Sequence, residues 1–169
     1  MGFQRHAAKA CGGSVKYLCF GYKEVVAEFV ASKIPDFSIS SDGYEALGTL
    51  DENGKLLGGV IYYEYRAGEI VRDVRMAIAG EPGWLNRGLI RAYFEYPFCQ
   101  LDCTRITVVC AKPNKRSRQF AERFGFVMEG RHKNAVEWHG KPADLISYGL
   151  ERHNCKWIEN NGKIVTKAA

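Results

Sequence analysis

The chain has 169 residues, a length that suits one domain with a single hydrophobic core. Hydrophobic residues make up 46% and charged residues 25%, which is the balance of an ordinary globular protein. No apolar run approaches the roughly 18 residues that a membrane span needs, and the N-terminus lacks the apolar core of a signal peptide. We therefore expect a cytoplasmic protein that makes no membrane contact.

The formal net charge of +5 comes from 24 basic and 19 acidic residues. A moderate excess of this kind suits a ligand that carries phosphate, or a nucleic acid, without deciding between them. Much of the basic charge falls within residues 112–133, which contain Lys112, Lys115, Arg116, Arg118, Arg123, Arg131 and Lys133.

The six cysteines form no Cys-x-x-Cys pair and have no histidine at ligand spacing. Their even number permits a disulfide framework, but such frameworks suit small secreted domains, so reduced thiols are favoured. The four histidines are also scattered along the chain. We predict no metal site.

The first third of the chain predicts a tail, a strand and a helix. Residues 1–14 have no apolar period and contain Gly12-Gly13-Ser14, which is typical of a flexible tail. Alternation in residues 15–20 predicts a strand. Apolar side chains at helical spacing predict a helix from Tyr22 to Lys33, with Pro35 after it as a stop signal.

The middle of the chain predicts a hairpin followed by a third strand. Tyr44–Leu50 and Leu56–Tyr65 have strand composition, and the Asn53-Gly54 pair between them supplies the left-handed turn residues of a hairpin. Glu69–Ala79 predicts the next strand. Trp84–Phe98 then has apolar side chains on one face, as in an amphipathic helix.

The last part of the chain predicts strand, helix and two closing strands. Thr104–Ala111 is the strand, and the helix of residues 114–124 has an N-cap candidate in Asn114 and a terminating glycine in Gly125. The closing strands cover residues 126–138 and 143–152. The whole pattern predicts one α/β domain at 15–152 with a mixed, largely antiparallel sheet, followed by a C-terminal tail at 153–169.

One segment carries a more specific signal. After the strand that ends at Ala111, Asn114 is followed by Ser117, and the helix closes on Gly125-Phe126 before Glu129-Gly130. This arrangement resembles the GNAT superfamily of acetyl-CoA-dependent N-acetyltransferases, in the branch of the ribosomal-protein N-terminal acetyltransferases. Trp84-Leu85-Asn86-Arg87 and Tyr96-Pro97-Phe98 are similar to small phage-encoded members. The resemblance covers roughly residues 15–152.

The resemblance implies a sheet splayed between its fourth and fifth strands, with acetyl-CoA in the gap and its pyrophosphate at a helix N-terminus. The family's loop pattern is Gln/Arg-x-x-Gly-x-Gly/Ala, and this chain keeps Arg87-Gly88 but has Leu89, Ile90 and Arg91 where glycine is expected. Arg87 or Arg91 could compensate by contacting phosphate. The implied cofactor-binding residues are Ile78, Ala79, Asn86, Arg87, Gly88, Leu89, Asn114 and Ser117. For most of them a purely structural role, such as capping a helix, is the alternative.

Transfer to an amine needs a base for the amine and an acid for the leaving thiolate. Many relatives place a tyrosine as that acid four residues before the Gly-Phe glycine, where this chain has Ala121. Asp73 is the candidate catalytic base, with a surface carboxylate beside Arg72 and Arg75 as the alternative. Glu64 and Glu81 are the next candidates.

The implied activity is transfer of an acetyl group to a primary amine of a small molecule or protein, by a monomer or homodimer. Two alternatives stay open. The chain could be a GNAT-fold binding protein with little turnover, which Ala121 favours, or an enzyme that modifies nucleic acid, which the net charge favours weakly. The acceptor is not identified by any motif, although Tyr63 and Tyr65 share a strand face and could line its groove.

Overall fold

The computed structural model describes residues 6–8, 15–35, 37–39 and 43–159, and of residues 6–8 it describes the backbone alone. Eight strands form one sheet in the order β1-β2-β3-β4-β5-β6-β8-β7. The strands are β1 (His6–Ala8), β2 (Lys16–Cys19), β3 (Glu45–Leu50), β4 (Leu56–Ala67), β5 (Arg72–Gly80), β6 (Arg105–Ala111), β7 (Val127–Trp138) and β8 (Lys141–Glu151). The α-helices of the described residues are α1 (Lys23–Ser32), α2 (Arg87–Glu95) and α3 (Lys115–Phe124). A π-helical turn (Tyr96–Gln100) follows α2 directly, and a 3-10 turn (Arg152–Asn154) follows β8.

The sheet confirms the predicted α/β class, and its neighbouring strands are antiparallel except at one place. That place is the pair β5–β6, which is parallel because α2 crosses over between the two strands. The sequence predicted seven of the strands. It did not anticipate the pairing of His6–Ala8 with β2, which lies inside the predicted tail; the other residues of 1–14 lie outside the described residues.

Local turn chemistry explains several element ends. Gly54 adopts a left-handed φ of 82° in the β3–β4 turn, where the Asp51 carboxylate accepts hydrogen bonds from the N–H groups of Asn53 and Lys55. His139 and Gly140 both have positive φ and join β7 to β8 in a two-residue turn. Gly125 ends α3 in the left-handed conformation, with φ at 102°.

Two hydrophobic clusters cover the two faces of the sheet. On one face α1 packs through Val26, Ala27 and Val30 against β3 and β4. Successive side chains of a strand point to opposite faces of the sheet. On the other face, α2 and α3 pack against strand side chains that include Tyr62, Met76 and Ile106. We call these the α1 face and the α2/α3 face.

The chain after β8 also packs on the α2/α3 face. The rings of Phe94 and Trp157 stack with centroids 6.4 Å apart, and the Trp157 indole N–H donates to the carbonyl of Phe124. Cys155 and Ile158 are buried in the same cluster. Residues up to Glu159 of the predicted C-terminal tail therefore lie against the domain, while 160–169 lie outside the described residues. No helix in the described residues is long and apolar enough to cross a membrane.

Candidate functional site

The two parallel strands β5 and β6 pair over a short stretch and then separate. Their paired residues run from Asp73 with Arg105 to Arg75 with Thr107, and neither strand is bonded to the other beyond that point. β6 continues to Ala111 and stays paired with β8, whereas β5 continues to Gly80 and stays paired with β4. A wedge-shaped gap therefore opens in the middle of the sheet, where the sequence predicted a splay between the fourth and fifth of its seven strands.

A cavity of about 490 Å³ occupies this gap and reaches both faces of the sheet. Side chains alternate along a strand, so Met76 and Ile78 line it on the α2/α3 face while Ala77 and Ala79 line it on the α1 face. The same alternation on β6 places Val108 and Cys110 on one side and Val109 and Ala111 on the other. The cavity thus connects the two faces through the sheet.

The N-terminus of α2 lies beside the part of the cavity on the α2/α3 face. Leu85 and Ile90 line the cavity, and between them Asn86 caps the helix by accepting a hydrogen bond from the Leu89 N–H at 2.9 Å. The N–H groups of Arg87 and Gly88 have no acceptor among the described residues. Free N–H groups at the positive end of a helix dipole form a site for an anion.

The N-terminus of α3 lies on the same side, and three of its residues line the cavity: Asn114, Arg116 and Ser117. Asn114 accepts a hydrogen bond from the Ser117 N–H at 3.0 Å, which is the N-cap interaction expected from the sequence. Within the described ranges, neither Arg87 nor Arg116 has an ion-pair partner. Two helix N-termini, the Arg116 guanidinium on the cavity wall and the Arg87 guanidinium on the first turn of α2 make this side favourable for phosphate.

The sequence-predicted cofactor residues divide into two groups. Ile78, Ala79, Asn114 and Ser117 line the cavity, whereas Asn86, Arg87, Gly88 and Leu89 form the first turn of α2 beside it. Leu89 is fully buried and its N–H is already bonded to Asn86, so it offers a ligand nothing. Arg91, the other candidate for phosphate, is paired instead with Glu95 and Glu159 at 2.7 and 2.9 Å.

A buried indole fixes the loop before α2. Trp84 lies over the backbones of Gly58 and Gly80, where added Cβ atoms would approach the ring to 2.3 and 2.5 Å. The Glu81 N–H donates to the carbonyl of Leu57 at 2.7 Å, and Lys16 donates to the carbonyl of Gly83. This loop is therefore held without the further glycines of the family pattern.

The part of the cavity on the α1 face has a different lining. It is formed by the end of α1 and the turn after it, by Tyr63 on β4, and by the β7–β8 hairpin. Its side chains are mostly apolar or aromatic, and the main ones are Ile34, Phe37, Tyr63, Val136, Trp138 and Leu145. Phe37 and Tyr63 meet edge to face, with ring centroids 5.5 Å apart.

Only one of the two strand tyrosines predicted for an acceptor groove reaches the cavity. Tyr63 lines it, but a bulge follows in β4, where Glu64 has a φ of 50° and the register with β5 shifts. The extra residue turns Tyr65 out of that face, and its hydroxyl donates to the carbonyl of Leu101 at 3.4 Å. The expectation that both share the groove was wrong because alternation fails across a bulge.

Asp73, the predicted base, lies in the paired part of β5 and not on the cavity wall. Its carboxylate accepts hydrogen bonds from the Thr107 hydroxyl at 2.9 and 3.1 Å and is 3.5 Å from the Arg105 guanidinium. It is on the α1 face, two residues before Arg75, which forms with Thr107 the last pair between β5 and β6. Asp73 therefore lies at the closed end of the gap and does not line the cavity.

The two alternative carboxylates are engaged in ion pairs. Glu64 is paired with Arg75 at 3.1 Å, and Glu81 with Lys33 at 2.7 Å. The hydrogen bond and positive charge of Lys33 hold the pKa of Glu81 below its usual value, so this carboxylate is a weak base.

Two further cavity side chains hold their protons firmly. Burial raises the pKa of the Cys110 thiol to about 11, so the thiolate that would act as a nucleophile is scarce near neutral pH. Burial also raises the pKa of Tyr93, although its hydrogen bond with Thr49 (2.6 Å between the hydroxyl oxygens) opposes that change.

The sequence analysis missed several cavity residues, of which the most informative are Lys33, Phe37, Phe120 and Trp138. They come from three parts of the chain: the end of α1 with the turn after it, α3, and β7. The sequence around each of them is also typical of a core or surface residue. Trp138 had one usable signal, since it precedes the His139-Gly140 turn of a hairpin next to the gap.

The chain is similar to a curated protein over part of its length and to solved structures over most of it. No known protein family model matches the sequence. The curated "Putative ribosomal N-acetyltransferase YdaF" of Bacillus subtilis (strain 168) is 33% identical over 60 residues, 36% of this chain and 33% of that protein. The match thus spans about a third of that relative's length.

Solved structures match over most of the chain. One described as a probable acetyltransferase has a TM-score of 0.63 at 19% identity, covering 88% of this chain and 98% of its own. Spermidine N-acetyltransferase from Vibrio cholerae, in complex with CoA and spermine, has a TM-score of 0.64 at 19% identity, covering 82% and 96%. The chain has the GNAT fold.

Proposed function

We propose that this protein is an N-acetyltransferase that transfers an acetyl group from acetyl-CoA to a primary amine by direct attack in a ternary complex. The observation that carries the proposal is the cavity through the sheet, which joins two helix N-termini on one face to an apolar mouth on the other. Such a passage lets two substrates meet from opposite sides at the separating strands.

The residues on the α2/α3 face fit coenzyme A. Its pyrophosphate needs donors and positive charge, and the free N–H groups of Arg87 and Gly88 supply donors beside the Arg87 guanidinium. The buried amide nitrogen of Asn86 also has no acceptor among the described residues. Arg116, Asn114 and Ser117 offer a second polar group at α3. Met76, Ile78 and Val108 offer an apolar wall for the pantetheine arm.

When bound, acetyl-CoA supplies an acetyl group activated as a thioester. In the proposed reaction the amine nitrogen bonds to the acetyl carbon, the carbon–sulfur bond breaks, and one amine proton is lost while the thiolate gains one. We propose that the developing oxyanion accepts from those backbone N–H groups of Met76 to Ala79 that face the gap, since these residues pair with β4 but no longer with β6. We propose Asp73 as the proton acceptor, working through water from the closed end of the gap.

Direct transfer is favoured over a covalent acetyl-enzyme. Among the described cysteines, Cys110 lines the cavity, and its raised pKa keeps the thiol protonated. A protonated, half-buried thiol is a poor nucleophile. The amine itself is therefore the nucleophile in our proposal.

The test is release of free CoA thiol from acetyl-CoA in the presence of a panel of primary amines, with the acetylated product identified by mass spectrometry. We expect amine-dependent thiol release with one acetyl group gained by the amine. Tight CoA binding without amine-dependent release would contradict the proposal and favour the binding-protein alternative, which Ala121 in the cavity wall suggests.

A further inference from the structure

The mouth of the cavity on the α1 face is built to receive an apolar body. Ile34 and Phe37 follow α1, Tyr63 comes from β4, and Val136, Trp138 and Leu145 come from the β7–β8 hairpin. These three elements are separate in the chain and converge on one opening. The aromatic members offer flat surfaces, and Phe37 already holds the Tyr63 ring in a fixed edge-to-face contact.

The charges at the cavity wall are unfavourable for a polycation. Among the described residues that line the cavity, the charged side chains are Lys33 and Arg116, and both are positive. Lys33 lies at the α1-face mouth, where it is paired with Glu81. A second ammonium group on the acceptor would lose its water in this mouth and meet no carboxylate among the described residues that line it.

We propose that the acceptor is a primary monoamine with an aliphatic or aromatic body, which enters from the α1 face and packs against Phe37, Tyr63 and Trp138. This inference rests on the proposed acetyltransferase function. Only the reacting nitrogen then has to shed its charge: it loses a proton, bonds to the acetyl carbon, and the carbon–sulfur bond breaks to leave the CoA thiol. A polyamine would carry a further charge into an apolar site.

A matched pair of acceptors tests the proposed class directly. Hexylamine and 1,6-diaminohexane have the same six-carbon chain and differ by one terminal ammonium group. With saturating acetyl-CoA, we expect kcat/KM for hexylamine to exceed that for the diamine by about tenfold or more, since charge burial is costly. Phenethylamine should also be a substrate. Equal or better kcat/KM for 1,6-diaminohexane or spermidine would overturn the inference while upholding acetyl transfer.

A matched pair of variants tests the location. Tyr63→Leu removes a ring that lines the mouth, and Tyr65→Leu removes an exposed ring on the same strand that points elsewhere. We expect Tyr63→Leu to raise KM for phenethylamine about fivefold or more, because one aromatic contact is lost, and to leave CoA affinity unchanged. Tyr65→Leu should change neither. An equal effect of both variants would contradict the location.

Amine binding gives a readout that does not depend on turnover. Saturation-transfer NMR of phenethylamine with the CoA-loaded protein should show binding that Tyr63→Leu weakens and Tyr65→Leu leaves intact. If phenethylamine binds in this way but is never acetylated, the proposed function is contradicted, while the proposal that the α1-face mouth binds an apolar amine is upheld. A protein that binds CoA but neither phenethylamine nor hexylamine would overturn the inference.

Discussion

Cys110 shows how one side chain separates two mechanisms. Its thiol faces the cavity, and burial raises its pKa to about 11, so it should be almost fully protonated at pH 7–8. Cys110→Ser should therefore keep at least about half of the wild-type kcat/KM, because a protonated thiol contributes no nucleophile. Intact-protein mass spectrometry with acetyl-CoA alone should show no acetyl adduct. Loss of turnover together with a wild-type acetyl-cysteine would contradict direct transfer.

Asp73, the proposed proton acceptor, accepts a hydrogen bond from Thr107 and lies at the closed end of the gap. If it takes the amine proton, Asp73→Asn should lower kcat about 10²–10⁴-fold, with partial recovery at higher pH as free amine becomes abundant. CoA affinity should not change.

Thr107→Val is the matched control for Asp73, because it removes the hydrogen bond and leaves the carboxylate. It should retain most of the turnover if the carboxylate acts on the amine. A kcat within twofold of wild type for Asp73→Asn would show that the residue serves strand packing alone.

At the scale of elements, Trp84 connects the strands to the loop before α2. Gly58→Ala would place a Cβ 2.3 Å from the indole, so the ring must move. We expect a loss of about 1–3 kcal/mol in the free energy of unfolding, the usual cost of overpacking, and weaker CoA binding because the ring lines the cavity. Urea unfolding and calorimetry measure the two effects. Gly43→Ala meets open space and should change neither; if Gly58→Ala is equally neutral, Trp84 does not hold the loop.

The β7–β8 hairpin, which frames the α1-face mouth, is fixed by Asp144. The Asn134 N–H donates to its carboxylate, and Lys112 and Arg131 are ion-paired with it, so its pKa is held below the usual value. A depressed pKa adds stability that is present at neutral pH and is lost as the pH falls below about 4.

Asp144→Asn should therefore lower the melting temperature at pH 7, and the difference from wild type should shrink as the pH falls towards 3. Glu137→Gln, an exposed change on the same hairpin, should leave the pH dependence unchanged. Thermal unfolding across pH 3–7 measures both. A difference between Asp144→Asn and wild type that does not vary with pH would contradict the role of this carboxylate.

At the scale of the whole molecule, the sequence predicted those turns and helix ends that depend on residues close together in the chain. The Asn53-Gly54 turn, the Asn114 N-cap and the Gly125 helix end each depend on neighbours in the chain, and all three are confirmed. It did not predict which side chains meet across the gap. Trp138 and Phe37 converge only because β8 lies between β6 and β7, which no short-range pattern specifies.

The predicted cofactor residues show the same difference between local pattern and tertiary contact. Ile78, Ala79, Asn114 and Ser117 lie on the cavity wall because they stand at fixed offsets from element ends. Leu89 does not, since the α2 cap uses its N–H and the core takes its side chain.

The central claim, that coenzyme A binds with its phosphates at the N-terminus of α2, is tested most directly by calorimetric titration of CoA into wild type and Gly88→Glu. A glutamate there suits the helix dipole, so the fold should hold, but it should repel the pyrophosphate and weaken CoA binding about tenfold or more. Gln100→Glu adds the same charge at the exposed end of the π-helical segment Tyr96–Gln100, which does not line the cavity at that residue, and should bind like wild type. Measurable CoA binding that is equal in all three folded proteins would contradict this placement, and no binding to wild type at millimolar CoA would contradict the account as a whole.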